Sequence, residues 1–169
     1  VLATGAYSLE LARVAGLSLP IQPAKGYHRD LPAGHGGVPQ LGLTMMLGER
    51  YVFCTPMGDF LRLAGTLELS GLNHTMVQRR VENLTDSAGR YLSGLEGGRS
   101  RDDWVGLRPV TPDGLPVVGP VPALGGLFVA NGHAMLGLTL GPITGKLLAE
   151  WIVTGAPSED LSALRPHRF

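Results

Sequence analysis

The sequence RYVFCTPMGDFLRLAGTLEL at residues 50–69 has the pattern of a β-hairpin. In its second half leucines alternate with polar side chains, which predicts a strand with one buried face and one face in water. The predicted buried residues are Leu61, Leu63, Leu67 and Leu69, and the predicted solvated residues are Arg62, Thr66 and Glu68. Because Met57-Gly58-Asp59 supplies a turn, the two halves are expected to pair in an antiparallel sheet.

Shorter strands and helices are predicted on both sides of this hairpin. Residues 1–6, 21–31 and 126–132 read as strands. Ser8 is expected to cap a helix that runs to Ala15 and ends at Gly16. Asn73 or Thr75 is expected to cap a second helix with apolar residues at helical spacing, namely Val77, Val81, Leu84, Ala88 and Tyr91.

The strongest helix pattern covers residues 139–154. Thr139 is the expected cap, Pro142 suits the first turn, and Gly155 followed by Pro157 is expected to end the helix. The residues of its apolar stripe are Leu140, Ile143, Leu147, Leu148, Trp151 and Ile152. The segment beyond Ser158 is polar and is expected to be peripheral.

Charge and cysteine content exclude several functions. The chain has 169 residues, with 14 Lys and Arg balanced by 14 Asp and Glu. Zero net charge argues against nucleic acid or an anionic membrane surface as partner. A single cysteine, Cys54, excludes an internal disulfide framework, and its place in a strand predicts a small buried side chain. Any redox chemistry must therefore come from a bound cofactor.

The loop Gly132-His133-Ala134-Met135-Leu136-Gly137-Leu138 lies between a strand and a helix. Backbone amides and a helix N-terminus at one place favour an anion or a polarised carbonyl. On spacing alone, an ordinary strand-to-helix turn remains the alternative. A single histidine beside a glycine is more typical of a structural hydrogen bond than of acid–base catalysis.

Arg108 lies in an apolar neighbourhood, where an unpaired guanidinium would be costly. It could bind a carboxylate ligand through two hydrogen bonds. The alternative is an internal ion pair with Asp102, Asp103 or Asp113. The other histidines, His28, His35, His74 and His167, show no metal-ligand spacing, so no metal site is expected.

Five segments together resemble the C-terminal half of the FAD-dependent D-amino-acid oxidase superfamily, and most of all its D-amino-acid dehydrogenase small-subunit branch. They are VLATGAYS, PAKGYH, FLRLAGTLELSGL, WVGLRPVTPDGLPVVG and LFVANGHAMLGLTLGPITGKLLAEWI. The resemblance implies an α+β fold: an antiparallel substrate-binding sheet with helices, joined to the C-terminal strand and helix and one internal strand-helix of an incomplete, Rossmann-like FAD-binding domain.

The resemblance also implies a division of the chain. Residues 1–18 would return to the FAD-binding domain, and residues 19–110 would form the substrate-binding domain. Residues 111–158 would be a strand-loop-helix that returns to the FAD-binding domain, followed by a tail at 159–169.

By the same resemblance, Arg108 is the residue that binds the substrate carboxylate. The residues expected to contact FAD are Ala3, Thr4, Gly5, Gly132, His133, Leu136, Gly137, Leu138 and Thr139. Tyr27, Tyr51 and Met135 are expected to line the substrate pocket.

The implied reaction is oxidative deamination of a D-amino acid to a 2-oxo acid and ammonia. A glycine-, sarcosine- or proline-type amine oxidoreductase and a non-catalytic binding module are the alternatives. The family's dinucleotide fingerprint G-x-G-x-x-G is absent from the 169 residues. The chain is therefore expected to be a fragment that lacks the N-terminal FAD-binding half, to be inactive alone, and to oligomerise through the surface so exposed. A cytoplasmic location is expected, with the parent a candidate for peripheral association with the inner membrane.

Overall fold

The computed structural model describes residues 1–96 and 98–169, and the chain divides into two compact units. Unit 1 comprises Val1–Ala24, Leu69–Leu72 and Leu107–Phe169. Unit 2 comprises Lys25–Glu68 and Asn73–Gly106.

The hairpin predicted at residues 50–69 is confirmed. Strands β3 (Val52–Pro56) and β4 (Phe60–Glu68) pair in antiparallel orientation, and the Met57 N–H donates to the Phe60 carbonyl at 2.8 Å to close the turn. They belong to a five-stranded sheet in the order β2-β3-β4-β1-β5. The remaining strands are β1 (Gln22–Pro32), β2 (Met45–Leu47) and β5 (Asp102–Val110). Antiparallel pairing with separate helices confirms the α+β class.

The alternation predicted along β4 holds only for its first half. Leu61 and Leu63 are buried, whereas Leu67 is 59% exposed and Glu68 is buried. Between Gly65 and Glu68 the strand advances three residues while β1 advances two, and Thr66 has a φ of 66°. This extra residue is a β-bulge, which moves every later side chain to the opposite face. The prediction that Leu67 and Leu69 are buried was therefore wrong.

The bulge places Glu68 in a buried ionic network. Lys25 Nζ lies 2.9 Å from Glu68 Oε1 and donates to Asn73 Oδ1 at 2.8 Å and to the Thr75 carbonyl at 2.9 Å. The Tyr27 hydroxyl donates to Glu68 Oε2 at 2.6 Å, and Arg80 pairs with the same oxygen. The buried lysine therefore has an acceptor for each of its three protons.

Helix α2 (Gln78–Ala88) packs its Val81, Leu84 and Ala88 into the core of unit 2. Its N-cap is Val77 without a side-chain bond, so the predicted caps at Asn73 and Thr75 were wrong, and Tyr91 lies beyond its end. Asn73 is used by Lys25 instead. Cys54 is fully buried in the same core, and burial raises the pKa of its thiol to about 11, which confirms the prediction of a packing role.

Unit 1 combines helices α1 (Ser8–Val14) and α3 (Gly137–Thr154) with the antiparallel strands β6 (Val117–Pro120) and β7 (Phe128–Asn131). The strand predicted at residues 1–6 is reduced to one parallel bridge from Leu2 to Val129. Ser8 is a buried residue inside α1 and not its cap, because its hydroxyl contacts Thr4 and Asn131.

Helix α3 begins two residues before its predicted start, after Leu136, which caps it without a side-chain bond. Thr139 therefore lies in the first turn and Pro142 inside the helix. The predicted end is confirmed: Gly155 adopts a φ of 87°, and its N–H donates to the Trp151 carbonyl. Leu147, Leu148 and Trp151 are buried, whereas Ile143 and Ile152 are almost half exposed.

Residues after Ser158 also belong to the core of unit 1. Leu161 is buried with Trp151, and Pro166 is buried. Arg168 pairs with Asp113 at 2.8 Å. The segment predicted to be peripheral is thus held in place by both apolar and ionic contacts.

None of the helices within the described residues combines the length and apolarity that crossing a bilayer requires.

Candidate functional site

Two segments of unit 1 that are far apart in the sequence run side by side in the same direction. The Leu2 N–H donates to the Phe128 carbonyl at 2.7 Å, and the Ala130 N–H donates to the Leu2 carbonyl at 3.1 Å. The segments that follow, Ala3–Gly5 and Gly132–Thr139, therefore start at the same edge. Ligands of open α/β proteins bind at such carboxyl ends of parallel strands.

Asn131 joins these two segments. Its side chain is buried, Nδ2 donates to the Gly5 carbonyl at 3.0 Å and contacts Ser8 Oγ, and Oδ1 accepts from the Gly132 N–H at 2.6 Å. The sequence analysis missed Asn131. The signal was present, because an amide at the end of the apolar strand Phe128–Asn131 must find partners if it is buried.

The turn after Asn131 needs a glycine. Gly132 has a φ of 78°, and a Cβ added there would lie 2.7 Å from Thr111 Cγ2. Ala134 also adopts a left-handed conformation, with a φ of 48°, and its N–H donates to the Pro109 carbonyl at 3.0 Å. The loop is thus held against the end of β5 at some backbone cost.

We expect Ala134→Gly to stabilise unit 1. Glycine adopts a positive φ without the Cβ clash, which is worth roughly 1 kcal/mol, whereas alanine costs that amount here. Differential scanning calorimetry should show a higher melting temperature for Ala134→Gly. The matched control is Ala149→Gly within α3. This change should lower the melting temperature, because glycine inside a helix costs a similar free energy of unfolding. Equal destabilisation by both changes would contradict the strain at Ala134.

His133 anchors the loop to α3. Its Nε2 lies 3.0 Å from Thr144 Oγ1. Burial lowers the pKa of His133, so the ring is neutral at pH 7. This contact matches the structural role expected for a histidine beside a glycine.

The start of α3 presents backbone donors to solvent. The first bond of the helix runs from the Leu140 N–H to the Leu136 carbonyl at 2.8 Å. The amides of Gly137, Leu138 and Thr139 precede it and have no acceptor within the helix. Leu136 and Leu138 are exposed, the latter by 98%. An apolar ligand that carries a polarised oxygen suits this combination of amides, helix dipole and leucines.

Arg108 lies near the end of β5, next to Pro109, whose carbonyl accepts the Ala134 bond. The structure therefore brings Arg108 and the loop together through the backbone. Burial lowers the pKa of the Arg108 guanidinium. Two carboxylates considered as its internal partners are engaged elsewhere, because Asp103 holds Arg29 through two bonds and Asp113 holds Arg168.

The three residues expected to line the pocket lie in different places. Tyr27 is in the core of unit 2, 2% exposed, with its hydroxyl on Glu68. The β1 register turns this side chain toward the core that α2 shares, so its predicted pocket role has no support from its burial. Tyr51 is 73% exposed before β3, and Met135 is 70% exposed in the unit 1 loop. Of the three, only Met135 accompanies the other candidate residues.

Exposed residues at the start of a helix that follows a strand end are typical of proteins that bind a cofactor at strand ends. The chain belongs to the FAD dependent oxidoreductase (DAO) family, whose model matches residues 1–151.

Relatives and solved structures agree with this class. The chain is 38% identical over 98% of its length to a D-amino acid dehydrogenase of Methylobacterium nodulans, and 37% identical over its whole length to one of Vibrio atlanticus. It matches the crystal structure of glycine oxidase from Geobacillus kaustophilus with a TM-score of 0.89 and 32% identity, over 99% of this chain and 44% of that chain. The chain spans 39% and 40% of the lengths of the two dehydrogenases.

Proposed function

We propose that this chain is the part of an FAD-dependent D-amino-acid dehydrogenase that binds the substrate carboxylate and contacts the flavin ring. The products would be a 2-oxo acid and ammonia. The observation that carries the proposal is the convergence on Asn131 of two segments, Ala3–Gly5 and Gly132–Thr139, both of which the family resemblance assigns to the flavin.

The residues at this edge fit a flavin. The ring carries carbonyl oxygens on an otherwise flat, largely apolar surface, which matches three amides flanked by Leu136 and Leu138. A Cβ at Gly5 would meet no atom within 4 Å, which leaves room for a ligand at the other segment. When bound, the flavin supplies the acceptor for the hydride from the substrate α-carbon. The amides and the α3 dipole would stabilise negative charge on the reduced ring.

Arg108 would bind the substrate carboxylate through a bidentate pair. A planar guanidinium fixes both the position and the rotation of that group, so it also sets the direction of the α-carbon hydrogen. We assign unit 1, which contains Arg108, to the FAD-binding domain and to binding of the substrate carboxylate, and we assign unit 2 to the substrate-binding domain. His133 would orient the loop through Thr144 without exchanging a proton.

The partner of this chain would be the remaining three-fifths of the dehydrogenase, including the dinucleotide fingerprint. Exposed apolar side chains on both helices of unit 1 are consistent with such a partner: Val14 is 88% exposed, Leu138 98% and Val153 82%. Isolated, the chain is expected to retain no FAD and to self-associate through these side chains.

A chimera tests the proposal directly. Residues 1–169 replace the matching segment of the Methylobacterium nodulans D-amino acid dehydrogenase, and FAD content and D-alanine oxidation are measured with an artificial electron acceptor. We expect stoichiometric FAD in the chimera and none in the isolated chain, because the family resemblance implies that most contacts to the ADP half lie outside these residues. A chimera that is folded by circular dichroism yet takes up no FAD would refute the flavin assignment.

A second candidate is an amine oxidoreductase that acts on glycine or a secondary amine, as the likeness to glycine oxidase suggests. The same chimera separates the two on a panel of D-alanine, glycine, sarcosine and D-proline. Turnover of sarcosine and glycine without turnover of D-alanine would favour the second candidate.

A further inference from the structure

Unit 2 carries a cluster of potential metal ligands on the face of its sheet opposite α2. Tyr27 and Leu31 of β1 point into the core with α2. His28 and Asp30 alternate with them and therefore lie on the other face. Asp102 and Trp104 of the neighbouring strand β5 reach the same place.

Three donor atoms converge in this cluster. One ligand atom from each of His28, Asp30 and Asp102 lies within 4.8 Å of the others. Among the described residues, His28 Nε2 is the buried side-chain atom that has no hydrogen-bond partner. It lies 4.0 Å from Asp30 Oδ2, too far for a hydrogen bond. Zinc bonds to nitrogen and carboxylate oxygen of about 2.0–2.2 Å would bring both atoms to one ion after small side-chain movements.

The histidine is held in a form that suits a metal ligand. Its ring stacks on Trp104, with centroids 5.2 Å apart and planes at 13°. A neutral imidazole has a lone pair available to a metal ion.

Arg62 is compatible with an ion at this place. Its Nε and Nη2 each donate to one Asp30 oxygen at 2.8 Å. A carboxylate offers about four acceptor sites, so two remain for an ion. Ligating carboxylates commonly hold such outer partners. With Arg62 included, the two aspartates leave one net negative charge, which favours a cation.

We propose that His28, Asp30 and Asp102 bind one divalent transition-metal ion of the zinc or cobalt class, with water completing its coordination. The nitrogen and oxygen donor set matches these borderline ions better than calcium or magnesium. The ion would link β1 to β5 and stabilise unit 2. Spacing along the chain did not predict this site, because Asp102 is far from His28 in the sequence.

Cobalt titration of the 169-residue chain at pH 7 is the test. Visible absorption should show cobalt d–d bands that saturate at one ion per chain, and zinc should displace them. We expect His28→Gln to abolish the bands and Asp102→Asn to weaken binding at least about tenfold, since even outer-shell partners are worth that much. Asp102 is exposed, so this variant is expected to fold normally.

His35→Gln and Asp86→Asn, both at exposed positions of unit 2, are the matched controls and should bind cobalt as the unmodified chain does. Paramagnetic broadening of the His28 ring resonances in the unmodified chain gives a readout that needs no variant. Cobalt bands identical to those of the free aqueous ion up to millimolar cobalt would overturn the proposal and leave water as the partner of Nε2. Equal binding by Asp102→Asn and the controls, or no broadening at His28, would also overturn it.

Discussion

Arg108→Ala in the chimera is expected to lower kcat/KM for D-alanine by about a thousandfold. Truncating one partner of a buried charge pair costs 2–5 kcal/mol, which corresponds to this range. Arg108→Lys should retain more activity than Arg108→Ala and less than the unmodified chimera. An ammonium keeps the charge but loses the bidentate geometry. Steady-state kinetics on the three proteins measure this order.

Arg13→Lys and Arg13→Ala are the matched controls, because Arg13 is exposed on α1. Both should leave kcat/KM within about twofold, as surface substitutions usually do. Circular dichroism and FAD content show whether the Arg108 variants remain folded and loaded. A folded, flavin-containing Arg108→Ala with unchanged kcat/KM would remove Arg108 from the substrate site.

Lys25→Met is expected to lower the free energy of unfolding of unit 2 by about 3–5 kcal/mol. The change leaves Glu68, Asn73 and the Thr75 carbonyl without the ammonium that each contacts. Lys25 is 2% exposed, so water cannot replace it without opening the core. Urea unfolding with hydrogen-exchange mass spectrometry assigns the loss to unit 2.

The only other lysine provides the control. Lys146 pairs with Glu150 on the surface of α3 and is 63% exposed. Lys146→Met should change stability by less than about 0.5 kcal/mol, as exposed i,i+4 pairs do. Equal losses from the two lysine variants would show that the Lys25 network contributes no more than a surface pair.

Local patterns predicted the elements whose signals lie within a few residues of each other. The turn at Met57-Gly58-Asp59, the buried Cys54 and the stop at Gly155 follow from spacing and backbone preference alone. Two strands were missed: β2 has only three residues, and the nine-residue β5 carries Asp, Trp and Arg among its apolar side chains. Neither strand offers a clean period of two.

Capping residues show why local rules fail. Ser8, Asn73 and Thr139 all have the right chemistry for a cap, yet the structure uses Ser8 and Asn73 elsewhere. Ser8 contacts Asn131 and Asn73 accepts from Lys25, and both partners are buried and far away along the chain. A hydrogen bond that satisfies a buried group is worth more than one at an exposed helix end.

By itself the sequence determined the antiparallel hairpin, the long C-terminal helix, the family and the glycine turn at Gly132. Only the tertiary structure decided that Asn131 joins the segments Ala3–Gly5 and Gly132–Thr139, and that Tyr27 belongs to the core. It also decided that His28 meets Asp102. Periodicity reports what one segment presents to its surroundings, whereas a buried polar group selects its partner by distance in space, and that distance exists only after the chain has folded.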